Sequence, residues 1–202
     1  MTDPQPPRLV LGISGASGAV YGLRALDALR ELGVESHLVV TRAAARTIAE
    51  ETGRDLADAH ARASVVHSLT DVGASIASGS FRTLGMLVAP CSIRTMSEIS
   101  TGVTSTLLTR AADVVLKERR PLVLMVRETP LHLGHLRTMT QLAEMGAVIA
   151  PPVPAFYAQP RSLDDLVDQA VGRALDLFGL QWRPVRRWGE DVGPAPGRRD
   201  DR

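Results

Sequence analysis

The feature that most constrains this chain is an alternation in which short, almost unbroken apolar runs are separated by stretches of helical periodicity. Leu9 to Ile13 is followed by a helical stretch from about Val20 to Leu32, then by the run His37 to Val40 and an Ala-rich helical stretch from Ala43 to Thr52. Further apolar runs at Leu84 to Ala89, Pro121 to Val126 and Ala147 to Ala150 bracket helical stretches at Thr104 to Lys117 and His132 to Met145. Strands that are apolar throughout, instead of at every second residue, belong to a parallel sheet covered by helices on both faces. The pattern predicts an α/β fold, a Rossmann-like doubly wound parallel sheet in a single domain over residues 8–180. A flexible segment is expected at 1–7 and a partly disordered tail, rich in Arg, Gly, Pro and Asp, at 181–202, with Trp188 docking.

The last helix is the most strongly marked. Ser162 and Asp165 have capping-box spacing, and Leu163, Leu166, Val167, Ala170, Val171, Ala174 and Leu175 keep to one face up to a stop near Gly179. On that wheel Arg173 falls beside Leu166 and away from Asp164, Asp168 and Asp176, so it is expected to point toward something packed.

The charge balance excludes several partners. With 23 basic against 22 acidic residues the formal charge is +1, which gives no chain-wide attraction to nucleic acid or to anionic lipid. Any anion must be held locally. One cysteine allows no intramolecular disulfide, which fits a reducing cytoplasm. No apolar run approaches the ~20 residues of a membrane span, and Met1 to Pro7 lacks the apolar core of a secretory signal.

Two strand ends carry the chemistry. The first strand runs into Gly12, Gly15 and Gly18 before a helix, a spacing that lets backbone N–H groups approach a phosphate. The G-x-x-G-x-x-G order, and Val40-Thr41-Arg42 in place of a ribose-binding acid, argue against NAD, while Arg42 leaves NADP open; the loop holds no P-loop lysine, which argues against ATP, so a mononucleotide phosphate is favoured. The third of these apolar runs leads into Pro90, Cys91, Ser92, Ile93, Arg94 and Thr95, whose hydroxyls and N–H groups are expected to face Ser17 across the sheet's switch point. The Gly- and Ser-rich loop Val72 to Phe81 is a candidate cover for that crevice.

A cationic cluster lies farther along. Arg110 and Lys117 are two helical turns apart, and Arg127 and Glu128 follow a buried run. Lys117 is the only lysine among the 23 basic residues, and an ammonium is a compact charge with a tunable pKa. Tyr157 follows the last run and Arg173 approaches from the final helix, so these groups are expected to converge on a second anionic subsite. Cys91 near a helix start and the pair His132 and His135 suggest a nucleophile and a metal site, but packing and helix opening explain them more simply.

The segments Gly15 to Ala19, Ser78 to Phe81, Pro90 to Ser92, Arg110 to Val114, Leu116 to Arg120, Arg127 to Pro130, His132 to Leu136 and Phe156-Tyr157 together resemble the UbiX-like flavin prenyltransferases, part of the homo-oligomeric flavoproteins. The resemblance runs from about Leu9 to Gly179 and again at Arg187 to Glu190. It implies a metal-independent transfer of a dimethylallyl group from dimethylallyl phosphate to N5 and C6 of reduced FMN. The product is the prenylated FMN used by UbiD-like decarboxylases, and the assembly is a homododecamer. By position, Gly15, Ala16, Ser17, Thr41, Ser92, Ile93, Arg94, Thr95 and Arg127 would hold FMN. Lys117, Tyr157, Arg173 and Arg110 would hold the dimethylallyl phosphate, with Lys117, Glu51 and Glu128 as catalytic candidates. Where many relatives carry Asn or Asp-Asn, this chain has Ser105-Thr106. Two other readings are a flavin-dependent aromatic-acid or cysteinyl decarboxylase and a non-enzymatic flavin-binding subunit.

Overall fold

A computed structural model describes residues 5–194. Residues 1–4 of the expected flexible segment and 195–202 of the expected tail lie outside the described residues. The chain runs β1 (Arg8–Ile13), α1 (Ala19–Glu31), β2 (Glu35–Val40), α2 (Arg42–Thr52), α3 (Leu56–Arg62), β3 (Val65–His67), β4 (Met86–Cys91), α4 (Ile93–Ser100), α5 (Leu107–Lys117), β5 (Leu122–Val126), α6 (Leu133–Glu144), β6 (Val148–Ile149) and α7 (Leu163–Asp176). Single turns of 3-10 helix occur at Ser75–Ala77 and Phe156–Ala158. The six strands are parallel in the order β3-β2-β1-β4-β5-β6, so the winding reverses between β1 and β4. This is the doubly wound sheet that the apolar runs predict.

Alternate strand residues feed two cores. Leu9, Leu11, Leu38 and Leu87 join α1 and α7 on one face, whereas Val10, Val39, Met86 and Val88 join α4 and α5 on the other. Both cores exclude water, which is why each run is apolar at every position. The short elements β3 and α3 were not expected, and β4 begins two residues later than its apolar run. Among the described residues no helix is long and apolar enough to cross a membrane.

The described part of the expected tail, residues 181–194, packs onto the domain. Trp182 is buried in the α1/α7 core, its indole N–H donating to Glu31 at 2.7 Å with the Arg24 guanidinium 4.7 Å from its ring centre. Val185 fills a notch that exists because position 172 is glycine; a Cβ there would collide with it. Arg187 closes the segment with a two-pronged ion pair to Asp176, at 2.7 and 3.0 Å. Trp188 docks edge-on against Tyr157, with 5.9 Å between ring centres, and stays largely exposed.

Candidate functional site

Parallel sheets gather their loops and helix N-termini at the carboxyl ends of the strands, and the reversal of winding opens a crevice there. Ser14 pins the two central loops together: its buried hydroxyl donates to the Pro90 carbonyl at 2.8 Å and accepts from the Ser92 N–H at 2.7 Å. Three helices then begin around one cleft of about 420 Å³, lined by Gly15, Thr41, Ser92, Thr95, Thr106 and Leu108. Thr41 caps α2, Ser92 caps α4, and Thr106 caps α5 in a reciprocal box with Thr109. Gly15 packs so closely on Ala43 that no side chain fits between them. Three positive dipole ends meet at this cleft, with Arg42 at its rim and Arg94 paired to Glu98 at 2.9 Å, an arrangement that suits an anion.

The first glycine loop behaves differently from the expectation. Its free donors at the start of α1 are already used: one oxygen of Glu51 accepts from the N–H groups of Gly18 and Ala19, at 2.8 and 2.9 Å. Burial opposes ionisation of Glu51. Hydrogen bonds from Ser17, Ala19 and Gly18 and the charge of Arg127 outweigh it, so the carboxyl lies below its ordinary range. A phosphate is therefore better served by α2, α4 and α5 than by α1, whose terminus holds the chain's own carboxylate. Ser17 turns toward a separate cavity shared with Arg24, Asp27 and Arg54. The loop Val72 to Phe81 does not cover the crevice. Arg120, just past α5, binds the Gly79 and Phe81 carbonyls at 2.7 Å each and holds the loop along α5.

The second predicted cluster is divided. Arg110 and Lys117 lie on α5, on one face of the sheet, where Arg110 pairs with Asp113 at 2.8 Å and Lys117 with Glu118 at 2.5 Å. Tyr157 and Arg173 belong to the opposite, α7 face. Arg173 corrects its own expectation: it is exposed and reaches Asp176 at 2.5 Å, because three residues' spacing along a helix brings the pair together. Arg173 also lines a small hollow together with Ala155 and Gln169. Arg127 and Glu128 leave β5 at the crevice, with the Arg127 N–H donating to the Cys91 carbonyl at 3.1 Å. One chain does not bring all four phosphate-binding candidates together.

The family model described as Flavoprotein matches residues 2–175. The flavin prenyltransferase UbiX of Escherichia coli K12 is 62% identical over 174 residues, covering 86% of this chain and 92% of that one. Among solved structures, AnUbiX (PadA1) in complex with FMN and dimethylallyl pyrophosphate superposes with a TM-score of 0.90 at 49% identity, covering 91% of this chain and 98% of that one. A dodecameric FMN-dependent UbiX-like decarboxylase from Escherichia coli O157:H7 gives a TM-score of 0.87 at 48% identity, over 90% and 98% of the two chains. The chain belongs to the UbiX-like flavin prenyltransferases.

Within that family frame the remaining candidates take structural roles. Cys91 is fully buried, and burial pushes its thiol up to about 12, which leaves no thiolate for nucleophilic chemistry. His132 caps α6, accepting from the N–H groups of Gly134 and His135. Two residues escaped the sequence reading: Ser14, hidden at the end of an apolar run, and Gln169, a polar residue inside the otherwise apolar stripe of α7. A polar side chain on a buried helix face was the available signal for Gln169.

Proposed function

We propose that this protein joins a dimethylallyl group to reduced FMN, using dimethylallyl phosphate, and so makes the prenylated FMN required by UbiD-like decarboxylases. The observation that carries the reading is the cleft at the β1/β4 reversal, where three helix N-termini face one hollow. It lies in a chain 49% identical to a protein solved with both FMN and dimethylallyl pyrophosphate. The cleft suits FMN: glycine at position 15 lets the loop after β1 pack directly on Ala43 of α2, and Thr41, Ser92 and Thr95 supply hydroxyls near the helix dipoles. Ala16, Ile93, Arg94 and Arg127 complete the flavin-holding set in this reading.

Breaking the allylic C–O bond sends its electron pair out with the phosphate as the prenyl carbon bonds to N5, which gives up its proton; protonation of the prenyl double bond then makes a tertiary cation that bonds to C6, and the C6 proton leaves to restore the ring. Lys117, Arg110, Arg173 and Tyr157 are assigned to the departing phosphate, whose growing charge preorganised donors stabilise without reorganising. Since α5 and α7 lie on opposite faces, the grouping requires α5 of one copy to meet the α7 edge of another, as in a homododecamer. Glu51 is committed to the start of α1 as a fixed negative charge, whereas Glu128 spends one oxygen only on the Thr129 N–H, at 3.0 Å. Glu128 is accordingly assigned the proton that leaves the flavin.

The test is anaerobic incubation with reduced FMN and dimethylallyl phosphate, followed by mass analysis of the released flavin. A gain of one five-carbon unit is expected, and that flavin should activate a UbiD-like decarboxylase. Release of unaltered FMN, with both substrates present, overturns the reading.

A further inference from the structure

Gln169 stands on the inner side of α7, 3% exposed, and all of its polar atoms are engaged. Its Oε1 accepts from the Arg186 N–H at 2.9 Å, and its Nε2 donates to the Arg186 carbonyl at 3.0 Å and to the Tyr157 hydroxyl oxygen at 3.3 Å. The carboxamide cannot be turned over, because a flip would set its NH2 against the Arg186 N–H and its oxygen against the Arg186 carbonyl. The direction of the bond to tyrosine is therefore fixed. With one lone pair of the phenol oxygen occupied by Nε2–H, the hydroxyl hydrogen must go to an acceptor other than Gln169.

The turn that carries Tyr157 is gripped from the same segment a second time, since the Arg186 guanidinium donates to the Ala158 carbonyl at 2.8 Å. Trp188, two residues farther on, lies edge-on to the phenol ring. We propose that Gln169 is a positioning residue that couples the C-terminal segment to Tyr157 and obliges its hydroxyl to donate outward, to the leaving phosphate. The inference rests on the prenyl-transfer reading above. It assigns Gln169 no contact with either substrate.

Gln169→Glu is nearly isosteric and reverses the bond: a carboxylate accepts the phenol hydrogen and withholds it from the phosphate. The measurement is kcat for flavin prenylation, with KM for reduced FMN, in the parent protein and in a Tyr157→Phe background. Loss of the oriented donor should lower kcat about tenfold in the parent with KM for reduced FMN unchanged. In the Tyr157→Phe background the same substitution should cost less than about twofold, because the hydroxyl it governs is already gone. Gln169→Leu, which introduces no buried charge, should follow the same pattern. Equal losses in both backgrounds, or no loss in the parent, overturn the role of Gln169 alone. Absence of any prenylated flavin from the parent protein, with FMN bound, overturns the prenyl-transfer reading and this inference with it.

Discussion

Helices α1 and α6 have nearly the same length and opposite surroundings. Helix α1 buries Leu23, Leu26 and Leu29 against the sheet, α7 and the segment after α7. Helix α6 buries only Leu142 and leaves Leu133 and Leu136 exposed, beside an edge strand, β6, that also faces outward at Val148. An apolar helix face next to an open sheet edge is a surface that soluble chains cover. One side of the molecule is finished by its own C-terminal segment, and the other is finished, in the assembly proposed above, by further copies. The division of the phosphate-binding candidates between α5 and α7 follows the same line, so folding alone does not complete the site.

The strongest way to break this comparison is through activity. Lys117→Ala and Arg173→Ala should each lower prenylated-flavin formation by about 100- to 1,000-fold, the cost of removing one preorganised charged donor, while FMN binding persists. If α5 and α7 of different copies share a phosphate, co-assembling the two inactive variants regenerates some pockets that carry both wild-type groups. Turnover of the mixture should then exceed that of either variant. A mixture no more active than its components contradicts a site shared between copies.

A smaller effect separates the two sides by stability and assembly. Trp182→Ala removes a buried indole from the self-completed side and should cost about 3–5 kcal/mol in urea unfolding. Leu136→Asp, on the uncovered side, should leave the unfolding free energy of the isolated chain within about 0.5 kcal/mol and abolish the large assembly in sedimentation. A Leu136→Asp protein that assembles normally would remove α6 from the contact surface.

Sequence periodicity made the sheet legible because its four inner strands, β2, β1, β4 and β5, are buried on both faces, leaving runs such as Leu122 to Val126 without a polar interruption. Val65 to His67 was illegible for the opposite reason: a three-residue edge strand with one exposed residue has no period to read. The cleft between α2, α4 and α5 was half legible. Thr41, Ser92 and Thr95 stand at strand ends, where local order predicts them. The occupation of the α1 N-terminus by Glu51 was not, because it depends on Glu51 reaching Gly18 across 33 positions of sequence. Arg173 shows the limit of a helical wheel: the wheel gives the direction of Cβ, and a long side chain can still turn to an acid one turn away.

The smallest predicted effect is a pH dependence confined to one side. On the α5 face, His37 Nδ1 and His67 Nε2 share a hydrogen bond of 2.9 Å, and His37 Nε2 meets Glu35 at 2.8 Å, with Arg8 on the same carboxylate and the Phe81 ring edge-on. Burial lowers the pKa of His37, with Arg8 adding to it and Glu35 opposing; burial and the charge of His37 lower that of His67 against Asp71. Unfolded histidines take up protons near pH ~6.5 and the folded pair only below that. Their contribution to stability is complete above pH ~6.5 and is lost as the pH falls toward the depressed folded values. Glu51, on the α1 side, has a lowered pKa, so its contribution persists until the pH falls below the ordinary carboxylate value of about 4.3. Between pH ~6.5 and ~5, amide exchange should quicken in β3 and at residues 78–81, while α1 and α7 keep their protection. Uniform quickening through both sides, or none near His67, would mean that the two halves respond to acid as a single unit.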